Sequence, residues 1–229
     1  MRLLLIRHGQ TPNNVAGALD TGFPGAGLTS LGNAQAAAIP SALGAERIGG
    51  VYASVLTRTQ LTATPLARAT AREIAVIDGV EEISAGDFEM RSDDEAIAGY
   101  VGALGRWAQD DLGHAVPGAE SGHDFFARYD GAIESVADRH ADETAVVVSH
   151  GAAIRIWAAR RAQNVQTGEA VRRWLHNTGM CVMEGDPERG WQLVQWHGDP
   201  LGGLDLEDPG AHDVTGDSAD EAAASSPSA

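Results

Sequence analysis

The sequence predicts an α/β fold, specifically a three-layer α/β/α sandwich with a mostly parallel central sheet. Short apolar runs of strand length alternate with longer stretches of helical character, which favours strands and helices in alternation along the chain. Two of the runs, at 3–6 and 145–148, contain only Leu, Ile, Val and Ala. Runs of this kind are typical of strands that are buried on both faces of a parallel sheet.

The first half of the chain contains three predicted strands and two predicted helices. The strands lie at 2–7, 51–54 and 73–77, and the helices begin at Thr29-Ser30 and at about residue 56. Ser and Thr are favoured at helix starts because their side chains accept hydrogen bonds from unpaired backbone N–H groups. The second helix extends to about residue 71, and Pro65 is expected to kink or interrupt it, since proline lacks the N–H that helix bonding needs.

The second half begins with the least regular stretch, 85–125, which holds one short predicted helix near 95–109. An amphipathic helix over 124–139 follows. The remaining predicted elements are a strand at 144–148, a helix from Ala152, and strands at 180–184 and 191–196. The last two strands are expected to form a hairpin around the turn sequence GDPERG.

Charge divides the 229-residue chain into two parts. The net charge is -16, and residues 199–229 contribute eight acids and no arginine. We therefore expect a catalytic domain over 1–198 and an acidic, disordered tail over 199–229. The strongly negative charge argues against nucleic acid as a partner, because binding to phosphate backbones depends on Lys and Arg.

Several classes of protein are excluded or disfavoured by composition. The chain has no lysine, which excludes a Walker A loop and Schiff-base chemistry. Its single cysteine, Cys181, cannot form an internal disulfide. The N-terminal apolar run is too short for a signal-peptide core or a membrane span, so we expect a cytoplasmic protein without a membrane partner. The sequence carries no indication of oligomeric state.

Two predicted strands end in similar polar residues. Arg7-His8-Gly9 follows the first strand, and Ser149-His150-Gly151 follows the strand at 144–148. Ligands of open α/β sheets bind beyond the carboxyl ends of the strands. If the two strands are neighbours, both histidines and Arg7 converge on one crevice. Gly9 and Gly151 would let backbone N–H groups approach a ligand there, and an anion is favoured at a helix N-terminus.

Other interpretations of these residues are possible. A single histidine after a strand is more often structural than functional. Two histidines and a glutamate could bind zinc, but the fixed positive charge of Arg7 repels a cation. Serine hydrolysis is disfavoured, because no G-x-S-x-G surrounds Ser54, Ser121 or Ser149. An anionic ligand suits arginine and histidine best, and phosphate is the natural candidate.

Five motifs in this order resemble the histidine phosphatase, or phosphoglycerate mutase-like, superfamily, and the resemblance covers roughly residues 1–198. The motifs are LLLIRHGQTPNN, LTSLGNAQA, YASVLTRTQLTA, EEISAGDFE and VVVSHGAAIR. The resemblance implies that His8 is the nucleophile that becomes phosphohistidine and that Glu82 donates a proton to the leaving oxygen, with Glu81 as its rival. It implies no metal and no other cofactor. The implied phosphate-binding residues are Arg7, His8, Asn14, Arg58, His150 and Gly151.

The sequence departs from the family pattern at the rim of the expected pocket. Val55 replaces the usual proline of the second arginine motif, and Met90 stands where glycine is usual. Four apolar side chains near this region could form a pocket wall or could simply pack in the core; these are Phe88, Met90, Tyr100 and Trp107.

The resemblance leaves three functions to distinguish. We favour a metal-independent phosphomonoester hydrolase that acts on a small phosphorylated metabolite through a phosphohistidine. The alternative is a cofactor-dependent phosphoglycerate mutase, which in the resembling enzymes uses extra basic residues after the acid motif. Here residues 92–127 contain seven acids and only one arginine, Arg106, with Arg91 as one further candidate contact. A catalytically inactive phosphate-binding module is disfavoured, because every expected catalytic position is filled.

Overall fold

The side chains of the first strand alternate between two separate hydrophobic cores. Leu3 and Leu5 pack in one core, whereas Leu4 and Ile6 pack in the other, and all four are fully buried. Side chains of a strand point alternately to the two faces of its sheet, so both faces are covered. This confirms the predicted three-layer arrangement. The computed structural model describes residues 1–170, 172–211 and 213–216.

The sheet contains six strands in the order β3-β2-β4-β1-β5-β6. The strands are β1 Arg2–Arg7, β2 Ile48–Ala53, β3 Ile74–Val76, β4 Thr144–Ser149, β5 Met180–Asp186 and β6 Gly190–His197. The first four strands are mutually parallel, and β5 and β6 form the predicted antiparallel hairpin at one edge. The sheet is therefore mixed, with a parallel part that contains the two His-Gly strand ends.

Helices cover both faces of the sheet. They are α1 Pro12–Val15, α2 Ser30–Ala42, α3 Thr57–Ala69, α4 Asp94–Ala108, α5 Gly122–Arg139, α6 Gly151–Arg161 and α7 Thr167–Ala170. Helices α2 and α3 contribute Ile39 and Leu66 to one core. Helices α5 and α6 contribute Tyr129 and Trp157 to the other. In the described parts of the chain, no helix has the length and apolar character that crossing a membrane requires.

Pro65 does not interrupt its helix, contrary to one alternative of the sequence prediction. Helix α3 runs through it from Thr57 to Ala69. Because Pro65 lacks an N–H, it leaves the carbonyl of Leu61 without its usual helical donor, and this residue lies on an exposed part of α3. An exposed carbonyl can be hydrated, so the helix tolerates the proline.

The segment after residue 198 differs in part from the predicted disordered tail. Residues 199–211 and 213–216 pack against the domain, where the apolar side chains of Leu201 and Val214 are buried. Asp213 is also buried, because it forms an ion pair with Arg7. Residues 212 and 217–229 lie outside the described residues, and disorder there stays a prediction, as does the domain boundary at residue 198.

Candidate active site

The two His-Gly strand ends lie side by side. Strands β1 and β4 are parallel neighbours, with Arg7 opposite Ser149. The backbone N–H of His8 donates to the carbonyl of Ser149 over 3.0 Å, which carries the pairing one residue beyond β1. The two imidazole rings are 5.2 Å apart between centroids. The convergence that the sequence suggested therefore exists at the carboxyl edge of the parallel strands.

The ring of His8 is held in one tautomer. Its Nδ1 lies 2.8 Å from the carbonyl oxygen of Gly9. A carbonyl oxygen only accepts, so Nδ1 carries the proton and Nε2 presents a lone pair. Burial lowers the pKa of His8 well below its ordinary value, and the positive charges of Arg58 and Arg7 lower it further. His8 is thus neutral at physiological pH, with Nε2 available as a nucleophile.

Arg58 is brought to the site by the first turn of α3 and is 2% exposed. Its Nη2 donates to the carbonyl of Asp20 over 2.9 Å, and its Nη1 lies 3.6 Å from the carboxylate of the same residue. Gly25 passes so close that a Cβ there would overlap Nη1 of Arg58. The loop before α2, which contains Asp20 and Gly25, therefore fixes the position of the guanidinium.

Arg7 is completely buried at the end of β1. Its Nη1 donates to the carbonyl of Leu175 over 2.9 Å. Its Nη2 donates to Oδ1 of Asp213 over 2.6 Å and to the hydroxyl of Thr215 over 3.0 Å. A buried guanidinium thus meets acceptors from two segments near the C-terminus.

His150 is also fully buried, directly before α6. Its Nε2 lies 2.9 Å from the hydroxyl oxygen of Ser54, the residue that follows β2. Burial lowers the pKa of His150 well below its ordinary value, with Arg58 as the strongest of the charges that contribute. The sequence pattern raises Ser54 only as a disfavoured nucleophile and does not predict this contact. Its position at a third strand end, on the same edge of the sheet, is the signal that could have indicated it.

Glu82 and Glu81, the two candidates for the proton donor, have different surroundings in the structure. The carboxylate of Glu82 is buried and accepts from the backbone N–H groups of Ala153 and Ala152, at 2.8 Å and 3.2 Å, in the first turn of α6. Glu81 instead lies 3.5 Å from Arg128, away from that helix start. Burial raises the pKa of Glu82, opposed mainly by hydrogen bonds from the backbone of Ile83 and Ala153.

Asn14 and Gly151 occupy supporting positions in this structure. Asn14 accepts from the backbone N–H of Thr11 at the start of α1 and donates to Oδ1 of Asp213 over 3.0 Å. Gly151 begins α6, where a Cβ would overlap the carbonyl oxygen of Thr215. Asn177, which the sequence analysis did not single out, donates to the carbonyl of His8 over 3.1 Å.

Buried donors at this site lack partners. Across the described residues, no hydrogen-bond partner is found for Nε of Arg7, Nε and Nη1 of Arg58, or Nδ1 of His150. A buried polar group without a partner is costly, and such groups in native structures are usually satisfied by a ligand, an ion or water. Two guanidinium groups and an imidazole with unpaired nitrogens suit an anion with several oxygens, such as a phosphoryl group.

The fold is an α/β sandwich whose site has the groups that suit a phosphoryl anion, and comparison with known proteins identifies its family. The model of the histidine phosphatase superfamily (branch 1) matches residues 3–199. The chain belongs to this superfamily, and the resemblance seen in its sequence is confirmed.

The individual proteins that the chain resembles include two phosphatases. The PE-PGRS family protein PE_PGRS11 of Mycobacterium tuberculosis is 36% identical over 220 residues, which cover 88% of this chain but only 37% of that relative's length. Phosphoserine phosphatase 1 of Hydrogenobacter thermophilus is 31% identical over 68% of this chain and 73% of its own. The solved mycobacterial glucosyl-3-phosphoglycerate phosphatase superposes with a TM-score of 0.72 at 25% identity, covering 86% of this chain and 99% of that one.

Proposed function

We propose that this protein is a phosphomonoester hydrolase that acts through a phosphohistidine at His8. The observation that carries the proposal is the hydrogen bond between Nδ1 of His8 and the carbonyl of Gly9. It directs the lone pair of Nε2 away from that carbonyl, in a site where Arg7, Arg58 and His150 have unpaired buried donors. A nucleophile and a set of anion-binding groups in one place are what phosphoryl transfer requires.

In the first step, Nε2 of His8 attacks phosphorus and the bond from phosphorus to the leaving oxygen breaks. Arg7, Arg58 and His150 stabilise the phosphoryl oxygens, whose charge is spread over three atoms in the transition state. The leaving oxygen takes a proton from Glu82. The raised pKa of Glu82 favours its protonated form, and a nearby phosphate dianion would raise this pKa further.

In the second step, the ionised Glu82 takes a proton from water and the water oxygen attacks phosphorus. The bond between phosphorus and Nε2 breaks, and inorganic phosphate leaves while His8 becomes neutral again. Glu82 thus acts as acid and then as base, and both groups return to their starting states. No step uses a metal ion, so metal independence is part of the proposal.

The charges around the acid motif favour the hydrolase over the mutase. A mutase must hold small, highly charged acids in place. Arg91 is engaged by Asp93 and Glu95 at the surface, and Arg106 is paired with Asp111. Neither arginine provides an extra cation for a second acidic group of the substrate.

We propose a small phosphorylated metabolite as the substrate class. The relatives named above include a phosphoserine phosphatase and a glucosyl-3-phosphoglycerate phosphatase. Tyr100 and Trp107 are buried in the core, whereas Met90 is 55% exposed and lies near Asn13. Phe88 is half-buried and packs against the same core. Of the four apolar side chains weighed as a pocket wall, Met90 is therefore the most exposed. We propose a cytoplasmic location, because a chain with a single cysteine fits a reducing compartment.

Turnover of a generic aryl phosphate tests the proposal. The wild-type protein is expected to release phosphate in the presence of a chelator, and His8→Ala is expected to release none. Activity that disappears with the chelator would contradict a metal-independent phosphohistidine route. Absence of turnover in the wild type, with phosphate still bound, would favour the inactive binding module.

A second assay separates hydrolase from mutase. The protein is incubated with 3-phosphoglycerate and a bisphosphoglycerate primer, and isomerisation is compared with phosphate release. We expect phosphate release from phosphomonoesters without efficient isomerisation. Efficient isomerisation with little release would overturn the preference for a hydrolase.

A further inference from the structure

Asp213 contacts the candidate phosphate site from beyond the family domain. It lies after residue 199, where the match to the superfamily ends. Its Oδ1 accepts from Nη2 of Arg7 over 2.6 Å and from the amide of Asn14 over 3.0 Å. Both partners are expected phosphate-binding residues. The side chain of Asp213 is 9% exposed and that of Arg7 is completely buried, so the ion pair is shielded from water.

We propose that Asp213 is a positioning residue that holds the guanidinium of Arg7 and the amide of Asn14 in the orientation that binds a phosphoryl group. This inference rests on the proposed function, because it assigns Arg7 to the phosphoryl oxygens. It adds to the reaction a residue that has no counterpart in the matched family segment.

The contacts of Arg7 support a positioning role. Leu175, Asp213 and Thr215 supply three acceptors, which engage Nη1 and Nη2 and leave Nε without a partner. A planar guanidinium held at two nitrogens cannot rotate freely, so the direction of its Nε–H is fixed. Short hydrogen bonds between charged groups are the strongest of their kind and the most restrictive in geometry.

The short segment that carries Asp213 is itself anchored. Residues 213–216, here called the C-terminal strap, form a turn in which the N–H of Gly216 donates to the carbonyl of Asp213. Val214 is buried in the larger core. The N–H of Leu175 donates to the carbonyl of Gly216 over 2.9 Å. Arg155 donates to the carbonyl of Thr215 over 3.0 Å, which ties the strap to α6.

A different role for Asp213 predicts the opposite result. Its carboxylate could compete with phosphate for Arg7 and Asn14, in which case removing it would strengthen phosphate binding. The unpaired donors favour positioning, because Nε of Arg7, Nε and Nη1 of Arg58 and Nδ1 of His150 are not occupied by Asp213. The strap engages one side of Arg7 and leaves these other donors for an anion.

The test measures binding of inorganic phosphate by calorimetry, independently of turnover. Asp213→Ala is expected to weaken binding about 10-fold to 100-fold, the size expected for one charge-assisted hydrogen bond. Asp213→Asn keeps an acceptor and is expected to retain part of the affinity. Thr215→Val removes the neutral acceptor of Arg7 together with a longer, 3.5 Å hydrogen bond from this hydroxyl to Asp213, and is expected to weaken binding about 5-fold. Asp205→Asn, an exposed acid outside the strap, is the matched control and should bind as the wild type does.

Each outcome bears on the proposal. Tighter binding by Asp213→Asn would show competition, and unchanged binding by both Asp213→Asn and Thr215→Val would show a merely structural contact; either result overturns the inference. If Asp213→Ala does not fold, the phosphate affinities of Asp213→Asn and Thr215→Val decide between these outcomes. Wild-type protein that binds no phosphate would also overturn it. Wild-type protein that binds phosphate but hydrolyses no ester would contradict the proposed function while leaving the role of Asp213 to the variants.

Discussion

The hydroxyl oxygen of Ser54 lies 2.9 Å from Nε2 of His150, and this contact sets what the opposite ring nitrogen can do. The hydroxyl oxygen of Ser54 also accepts a hydrogen bond from the backbone N–H of Leu56. If its hydroxyl donates to Nε2, the proton of His150 resides on Nδ1, the atom without a partner in the described structure. His150 then donates to a phosphoryl oxygen, whereas His8 presents a lone pair. In that case the two histidines differ in role because their neighbours fix different nitrogens. The hydroxyl of Thr59, 3.1 Å from that of Ser54, is the other group to which the serine can donate.

Ser54→Ala should therefore impair catalysis through the tautomer of His150. We expect kcat/KM for an aryl phosphate to fall about fivefold, the effect of losing one hydrogen bond of about 1 kcal/mol. Steady-state kinetics check this, with Ser135→Ala on the exposed face of α5 as the matched control. Unchanged kinetics in Ser54→Ala would show that the serine does not set the tautomer.

Glu82→Gln should make the rate depend strongly on the leaving group. An amide cannot donate the proton that a poor leaving oxygen needs, so alkyl phosphates should lose about 10²-fold to 10⁴-fold in kcat/KM. Aryl phosphates, whose leaving alcohols are acidic, should lose much less of the rate of the first step. Rates across a series of esters measure this slope.

Glu81→Gln is the matched control for that series, because Glu81 pairs with Arg128 rather than with α6. It should leave the dependence on the leaving group as in the wild type. A slope that steepens in Glu81→Gln and not in Glu82→Gln would reverse the assignment of the two acids.

The pKa of His8 should lie well below its ordinary value of about 6.5. Attack needs the neutral ring, so activity is present above the lowered pKa and is lost as the pH falls through it. NMR titration of the histidine rings in the free protein measures the value without interference from substrate ionisation. Arg58→Gln removes a positive charge and should move the pKa of His8 upward. Titration of His8 at or above 6.5 in the wild type would contradict the account.

Gly25→Ala should displace Arg58. Gly25 has a φ of +70°, and a Cβ there would overlap Nη1 of Arg58. We expect a stability loss of about 1–2 kcal/mol from the left-handed backbone, together with a fall of about tenfold or more in kcat/KM as the guanidinium shifts.

Gly102→Ala is the control for that substitution, because nothing lies within 4 Å of a Cβ at this exposed position in α4. It should keep full activity and gain up to about 1 kcal/mol, since alanine favours helix more than glycine does. Equal kinetics in Gly25→Ala and Gly102→Ala would show that the loop does not position Arg58. Thermal unfolding and steady-state assays measure both effects.

Much of the fold could be predicted because the central strands β1 and β4 contain continuous apolar runs and are each closely followed by glycine. The predicted helices and strands all appear, with bounds that shift by a few residues. The segment after residue 198 was harder to predict. Val214 stands among polar and small residues in an acid-rich segment, and it is buried in a core that contains distant residues such as Ala152 and Leu175.

The candidate reacting groups could be selected from the sequence because each lies in a local motif, whereas the residues that contact and support them could not. Ser54, Asn177 and Asp213 act through contacts to residues 96, 169 and 206 positions away in the chain. No local sequence pattern indicates contacts between residues so far apart in the chain. Asp213 belongs to an acid-rich segment, for which the sequence predicts exposure to solvent. It is buried instead, because it forms an ion pair with the buried guanidinium of Arg7.

The most direct test of the central claim is the site and atom of phosphorylation. Glu82→Gln, in which hydrolysis of the intermediate should be slow, is mixed with an aryl phosphate and quenched in alkali, which preserves phosphohistidine. Mass spectrometry and ³¹P NMR should find one phosphoryl group on Nε2 of His8, since Nδ1 is engaged by Gly9. Phosphorylation of His150, of Nδ1, or of no histidine while turnover continues would contradict the account.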